Sequence, residues 1–275
     1  MIWNLFNMTN TGSASFIQRL HTNEILCRFM LGFLISILFG GMARAQTDES
    51  PLHIDGDIGL GSYYTQSIIR GKTDQTDILP YGNFDYGRIF MRIDTLGIKT
   101  IKLGYGYLEI AARFSQDGFN AGVNNLHGLG NRQTSIPLGL GTLQITPIGA
   151  FFINAFHDIN KSRGNLFETI YVAELDTQQV TFYPLAGTEY QSKEYVRYYY
   201  GISAQEAAIS QYATYEPAGA FNPLLGLMID AKLTEEYHLN FYLRRKWLGN
   251  AIQSSPIVGQ RIMDTGFIAL SYRFE

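Results

Sequence analysis

An alternation of period two near the C-terminal end constrains this chain more than any other feature. Across residues 262–274, Ile268, Leu270, Tyr272 and Phe274 fall on one face, and Thr265, Ala269, Ser271 and Arg273 on the other. A β-strand sends successive side chains to opposite faces, so this stretch reads as a strand with one apolar and one polar surface. Residues 225–233 repeat the pattern, with Leu225, Leu227, Ile229, Ala231 and Leu233 set against Gly226, Met228, Asp230 and Lys232. In residues 237–243, Tyr237, Leu239, Phe241 and Leu243 oppose His238, Asn240 and Tyr242.

The longest uncharged stretch beyond the leader, residues 133–156, does not read as a helix. It holds Pro137 and Pro147, together with Gly139, Gly141 and Gly149. Two prolines and three glycines would interrupt a helix repeatedly, and two neighbouring strands fit better. Reading on in this way gives about twelve strands, at roughly 53–68, 77–86, 88–96, 98–115, 132–142, 143–157, 164–175, 178–190, 193–202, 217–232, 235–247 and 261–274. The longer connections fall at residues 116–131, 203–216 and 248–260.

The first 45 residues read differently. Residues 29–42 (FMLGFLISILFGGM) are apolar and uncharged, Arg19 and Arg28 precede them, and Ala43-Arg44-Ala45 follows. A basic flank, a short apolar run and small residues at a cleavage site describe a secretory signal peptide. The run is shorter than the ~20 residues of a spanning helix, which weighs against an N-terminal anchor. Residues 1–45 are therefore expected to be cleaved, leaving one domain over residues 46–275. Cys27, the only cysteine, lies in the leader. The mature chain thus has neither a disulfide framework nor a thiolate site.

Alternation alone does not separate a membrane barrel from a soluble sandwich, since both have one apolar face. Export and composition separate them. Charged residues make up 16% of the chain, against roughly 25% in ordinary soluble domains. Aromatic residues make up 14%, and such rings favour the two membrane–water boundaries. Strands in lipid must pair every backbone group, so the sheet has to close. The expected fold is an all-β antiparallel transmembrane β-barrel in a bacterial outer membrane.

Groupings that would carry chemistry are scarce. His53, His127, His157 and His238 do not pair at metal-ligand spacing. His157-Asp158 is the one adjacent acid–base pair, and it sits at a strand end, where a solvated turn explains it. Lys72, Asp74 and Asp77 read as a solvated loop, as do Asp48 and Glu49. Gly56, Gly59 and Gly61 lack the helix and Lys-Ser/Thr of a phosphate-binding loop. Arg244-Arg245-Lys246 is the densest basic cluster; it reads as a charged strand end, with lipopolysaccharide phosphate as the alternative ligand. Arg70, Arg113, Arg197 and Arg273 are candidates for lumen ion pairs with Glu109, Asp230 or Asp264. No catalytic, cofactor-binding or metal residue is assigned, and net charge −3 without a basic patch points away from nucleic acid.

The sequences YYYGISAQEAAIS (residues 198–210) and QYATYEPAGAF (211–221) carry a more specific pattern. A strand ends in an aromatic-Gly-Ile step, Ser203, Ala207 and Ser210 mark a helical-looking loop, and Tyr215 follows. Ser255-Pro256-Ile257 precedes the last strand, Leu60-Gly61-Ser62-Tyr63-Tyr64 and Leu79-Pro80-Tyr81 mark the first two, and Gly128-Leu129-Gly130 lies in a loop between. These residues resemble the MltA-interacting protein (MipA/OmpV) family. The resemblance implies an outer-membrane protein without catalytic activity. It further implies a scaffold bringing a lytic transglycosylase together with a murein synthase, in contact with lipid and lipopolysaccharide. A small-solute channel, and a surface adhesin or antigen, are the rival expectations.

Overall fold

The computed structural model describes residues 52–115, 117–122 and 126–274. The expected signal peptide lies outside the described residues. The chain runs through β1 (Ile54–Thr65), β2 (Gln75–Tyr86), β3 (Ile89–Arg92), β4 (Thr95–Leu103), β5 (Gly106–Arg113), β6 (Leu138–Thr146), β7 (Gly149–His157), β8 (Asn165–Val172), β9 (Leu175–Asp176) and β10 (Val180–Gln191). Two helices follow, α1 (Lys193–Tyr200) and α2 (Ala204–Ile209). Then come β11 (Ala220–Lys232), β12 (Tyr237–Trp247), the short helix α3 (Asn250–Gln253) and β13 (Ile262–Phe274).

Apart from β8 and β9, every strand pairs antiparallel with the next, and the ring closes where β1 meets β13, from Gly56 opposite Phe274 to Thr65 opposite Thr265. β8 and β9 lie end to end against β10, so the wall has twelve staves. The expected number is met, but by different segments. Where a strand is expected over residues 193–202, helix α1 occupies Lys193–Tyr200, and residues 88–115 form three strands rather than two. Tyr195, Val196, Tyr199 and Tyr200 show why: they recur at helical spacing and all four are buried.

The two faces of the wall have inverted polarity. On β12, His238 and Asn240 are buried while Leu239, Phe241 and Leu243 are exposed. On β13, Ser271 is 1% exposed and Leu270 52%. Asp57, Glu109, Glu168 and Asp230 are likewise buried inside, whereas Leu60, Ile98, Ile110 and Leu140 stand out. A soluble sandwich buries the apolar face, so this inversion marks a barrel sealed by lipid. Aromatic residues collect at both edges of the apolar band. At the end with short turns, the rings of Tyr237 and Tyr272 meet edge to face at 5.5 Å, and Phe274 packs 4.8 Å from Tyr272. At the other end Tyr64, Tyr190, Phe221 and Trp247 are exposed.

Connections at that second end are long, at residues 66–74, 114–137, 158–164, 192–219 and 248–261. One is not: residues 93–94 alone join β3 to β4, and β3 spans only Ile89–Arg92. A membrane strand ordinarily needs roughly 9–11 residues. The wall is therefore cut low at this one place.

Candidate functional site: a capped, charge-filled lumen

The long connections fold together into a cap with its own apolar core. α1 supplies the centre, because its buried stripe of Tyr195, Val196, Tyr199 and Tyr200 packs with Ile68, Phe119, Leu126, Ile252 and Ile257 from other connections. Gly164 allows this approach, since a Cβ there would lie 2.4 Å from the Tyr195 backbone nitrogen. Tyr195 donates its hydroxyl proton to Asp117 Oδ2 at 2.6 Å, and its oxygen lies 2.9 Å from Ser115 Oγ. Burial, and then the neighbouring Asp117 carboxylate, push the hydroxyls of Tyr195 and Tyr200 well above the ordinary phenol range. Both stay neutral and act as donors.

The motif residues that carry the family resemblance outside β1 and β2 converge on this cap. Ser203 caps α2 by accepting from the Glu206 backbone N–H at 3.2 Å, and Glu206 Oε2 accepts from the Ser203 N–H at 2.9 Å. This is a reciprocal capping box, each residue holding a backbone donor of the other. Glu206 also accepts from the Gly130 N–H at 2.9 Å and from Arg132 at 2.8 Å. Burial alone would raise the Glu206 carboxyl; these donors outweigh it and hold the group down at about 2. Ser255 Oγ donates to the Tyr200 carbonyl at 2.6 Å, Arg70 Nε to the Pro256 carbonyl at 2.9 Å, and Tyr215 to the Ala251 carbonyl at 2.8 Å. Residues far apart in the chain are thus one structural unit, which spacing alone does not reveal.

Below the cap the lumen is crossed by ion pairs. Arg113 grips Glu168 through both terminal nitrogens, and Asn154 donates to the same carboxylate at 3.2 Å. Lys246 reaches Glu189 at 3.0 Å. Nearer the short-turn end, Arg273 bridges Asp57 and Asp230, each at 2.6 Å, and His238 Nδ1 lies 2.7 Å from Asp230. The expected pair Arg273–Asp230 is present. The other expected pairings differ: Arg113 meets Glu168, Asp264 meets Arg245, Arg70 bonds the cap, and Arg197 is exposed on α1. Glu168 and Glu189 were not singled out from sequence. Their signal is an acidic residue within a strand of otherwise uncharged neighbours.

The basic run Arg244-Arg245-Lys246 is not one patch. On a strand its members alternate: Arg244 and Lys246 line the lumen while Arg245 points out and pairs with Asp264 at 2.7 Å. His157 and Asp158 also part company. His157 Nδ1 lies 2.8 Å from Asn165 Oδ1, whereas Asp158 is fully buried and accepts from the backbone N–H groups of Asn160, Lys161 and Ser162. Burial raises the Asp158 carboxyl, but these donors hold it below its usual value, so it organises a turn rather than exchanging protons. Among the described residues no three His, Cys, Asp or Glu side chains gather as a metal site. An open hollow of about 310 Å³ at the short-turn end is lined by Asp85, Arg92, Lys99, Tyr107 and Glu109.

The chain matches the family described as MltA-interacting protein MipA over residues 58–274. It is 27% identical to the outer membrane protein Omp26La of Vibrio anguillarum over 186 residues, covering 64% of this chain and 70% of that one. It is 29% identical to the outer membrane protein OmpV of Vibrio cholerae over 159 residues, covering 58% and 60%. With the MltA-interacting protein of Escherichia coli K12 it shares 24% identity over 245 residues, covering 83% and 94%. A closed twelve-stave barrel with an apolar outer band, matched over nearly its whole length, belongs to the MltA-interacting protein family of bacterial outer-membrane proteins.

Proposed function

We propose that this protein works without catalysis, as an outer-membrane interaction protein that holds a murein-cleaving lytic transglycosylase and, through it, a murein synthase. The observation that carries this reading is the similarity over 94% of the length of a relative named for interacting with MltA. The geometry favours it over an open solute channel. A packed apolar cap lies over one mouth, and ion pairs occupy the lumen beneath it. Outer-membrane barrels carry short turns on the periplasmic side and long loops outside. That rule directs the hollow at Asp85, Arg92, Lys99 and Glu109 toward the periplasm, where such a partner resides.

The test is affinity capture of the tagged chain from cross-linked cell envelopes. Enrichment of a lytic transglycosylase is expected, and charge reversal at Lys99 should reduce it severalfold while the barrel still folds. A capture that never enriches a murein enzyme overturns the proposal.

A further inference from the structure

We propose that the cut in the wall above β3 is a lateral portal, admitting a single-chain amphiphile with an anionic head from the membrane into the lumen. This inference is independent of the murein partner.

The portal has defined edges. Beyond the rungs joining Asn83–Tyr86 to β3, β2 continues from Gln75 to Gly82 with β1 on one side and, among the described residues, no strand on the other. The turn at Ile93 and Asp94 forms the sill, tied by the Ile93 N–H to the Gly82 carbonyl at 2.8 Å. Lys72 Nζ bonds the Gly118 carbonyl at 3.2 Å and closes the top. An unpaired strand edge at membrane depth is tolerable only beside a polar or water-filled space.

Such a space lies behind it. A cavity of about 600 Å³ is lined both by outward apolar residues, Leu79, Leu96, Phe114 and Ile136, and by lumen residues, Arg113, Glu189, Arg244 and Lys246. It therefore passes through the wall. Its volume lies within the roughly 300–1,000 Å³ usual for small-molecule sites.

The lining chemistry selects the ligand. Glu189 is held by Lys246, Asp117 by Tyr195, and Asp94 accepts from Thr95 at 2.9 Å. Arg113 is engaged by Glu168. Arg244 keeps a spare donor beside the Glu168 and Glu189 carboxylates: its Nε is buried without a hydrogen-bond partner, as is Oγ1 of its cross-strand neighbour Thr265. A carboxylate or phosphate head would satisfy both. Tyr63 and Phe267, whose rings lie 5.2 Å apart, line the way from there to the rim, and offer the tail an apolar path past Leu79.

The test titrates dodecanoate, carbon-13 labelled at its carboxyl, into the barrel refolded in uncharged detergent micelles. A single saturable bound signal is expected. R244Q should weaken binding at least tenfold and R244K should restore part of it. A112W, at the rim, should slow exchange of the bound signal. Heat-modifiable gel mobility confirms that each variant is folded. A lysophospholipid competing with dodecanoate would point to a shared anionic-head site. Absent saturable binding, unchanged binding in folded R244Q, or equal binding of dodecyltrimethylammonium would each overturn the proposal.

Discussion

Arg113 and Glu168 face each other across the lumen from β5 and β8, joined by two parallel hydrogen bonds at 2.7 and 3.1 Å. Glu168 is 4% exposed, so the pair has exchanged most of its water for this contact and the Asn154 amide. Removing one partner strands the other. E168A should cost about 3–5 kcal/mol of barrel stability in urea unfolding. Replacing both members by apolar residues, as R113M/E168L, should cost less than E168A alone, because no uncompensated charge remains.

The cap should respond to acid before the barrel does. The Glu206 carboxyl sits at about 2 when folded against an ordinary 4.5. A depressed folded value means that its stabilisation is fully present above pH 4.5 and is lost as pH falls from there through about 2. The protection factor of the Gly130 amide, which donates to Glu206, should fall over that window. E206Q should flatten the response at that amide.

Lipid and lumen faces can be told apart on β13. Leu270→Arg places a charge in the apolar band and should cost roughly 2–4 kcal/mol near the midplane. Leu270→Ala should cost less than that, since lipid fills the space and only the transfer of the lost methyl groups from water to lipid is forfeited. The adjacent Ser271 accepts a hydrogen bond from Asn240 Nδ2 at 2.8 Å in a packed interior. Ser271→Val should therefore destabilise measurably by the unpaired Asn240, where the same small-residue exchange outside would not.

Gly128 occupies the left-handed region at φ +89°, and a Cβ there would lie 2.5 Å from the Ile209 carbonyl oxygen at the end of α2. Gly128→Ala should impose about 1–3 kcal/mol of local strain. The expected readout is faster proteolysis within residues 203–216, with heat-modifiable mobility of the barrel retained.

The alternation of β11, β12 and β13 is a local property, and it revealed those strands and their faces directly. Helix α1 was hidden because Tyr and Val favour strands intrinsically, while the pairing of Tyr195 with Val196 and of Tyr199 with Tyr200 is a helical signal only when weighed above propensity. The short β3 was hidden for another reason. Ile93 adopts φ +56°, a rare conformation for a β-branched residue, so nothing in the stretch Ile89–Ile93 announces a turn. Cross-lumen pairs are less legible still. Arg113 and Glu168 are 55 residues apart, and only the curvature of the closed ring brings them together. The cap motifs were visible as a family pattern, but their convergence on one core was not.

The first and last strands meet in a long ladder, from Gly56–Phe274 to Thr65–Thr265, yet β3 holds its neighbours only through residues 89–92. Amide exchange in a folded barrel follows the cheapest local opening. The fastest-exchanging wall amides should therefore flank β3, in the interior of the sequence, while the seam between first and last strands stays protected. Thermal motion would then breathe the wall at a fixed hinge line, with the terminal seam serving as its rigid spine.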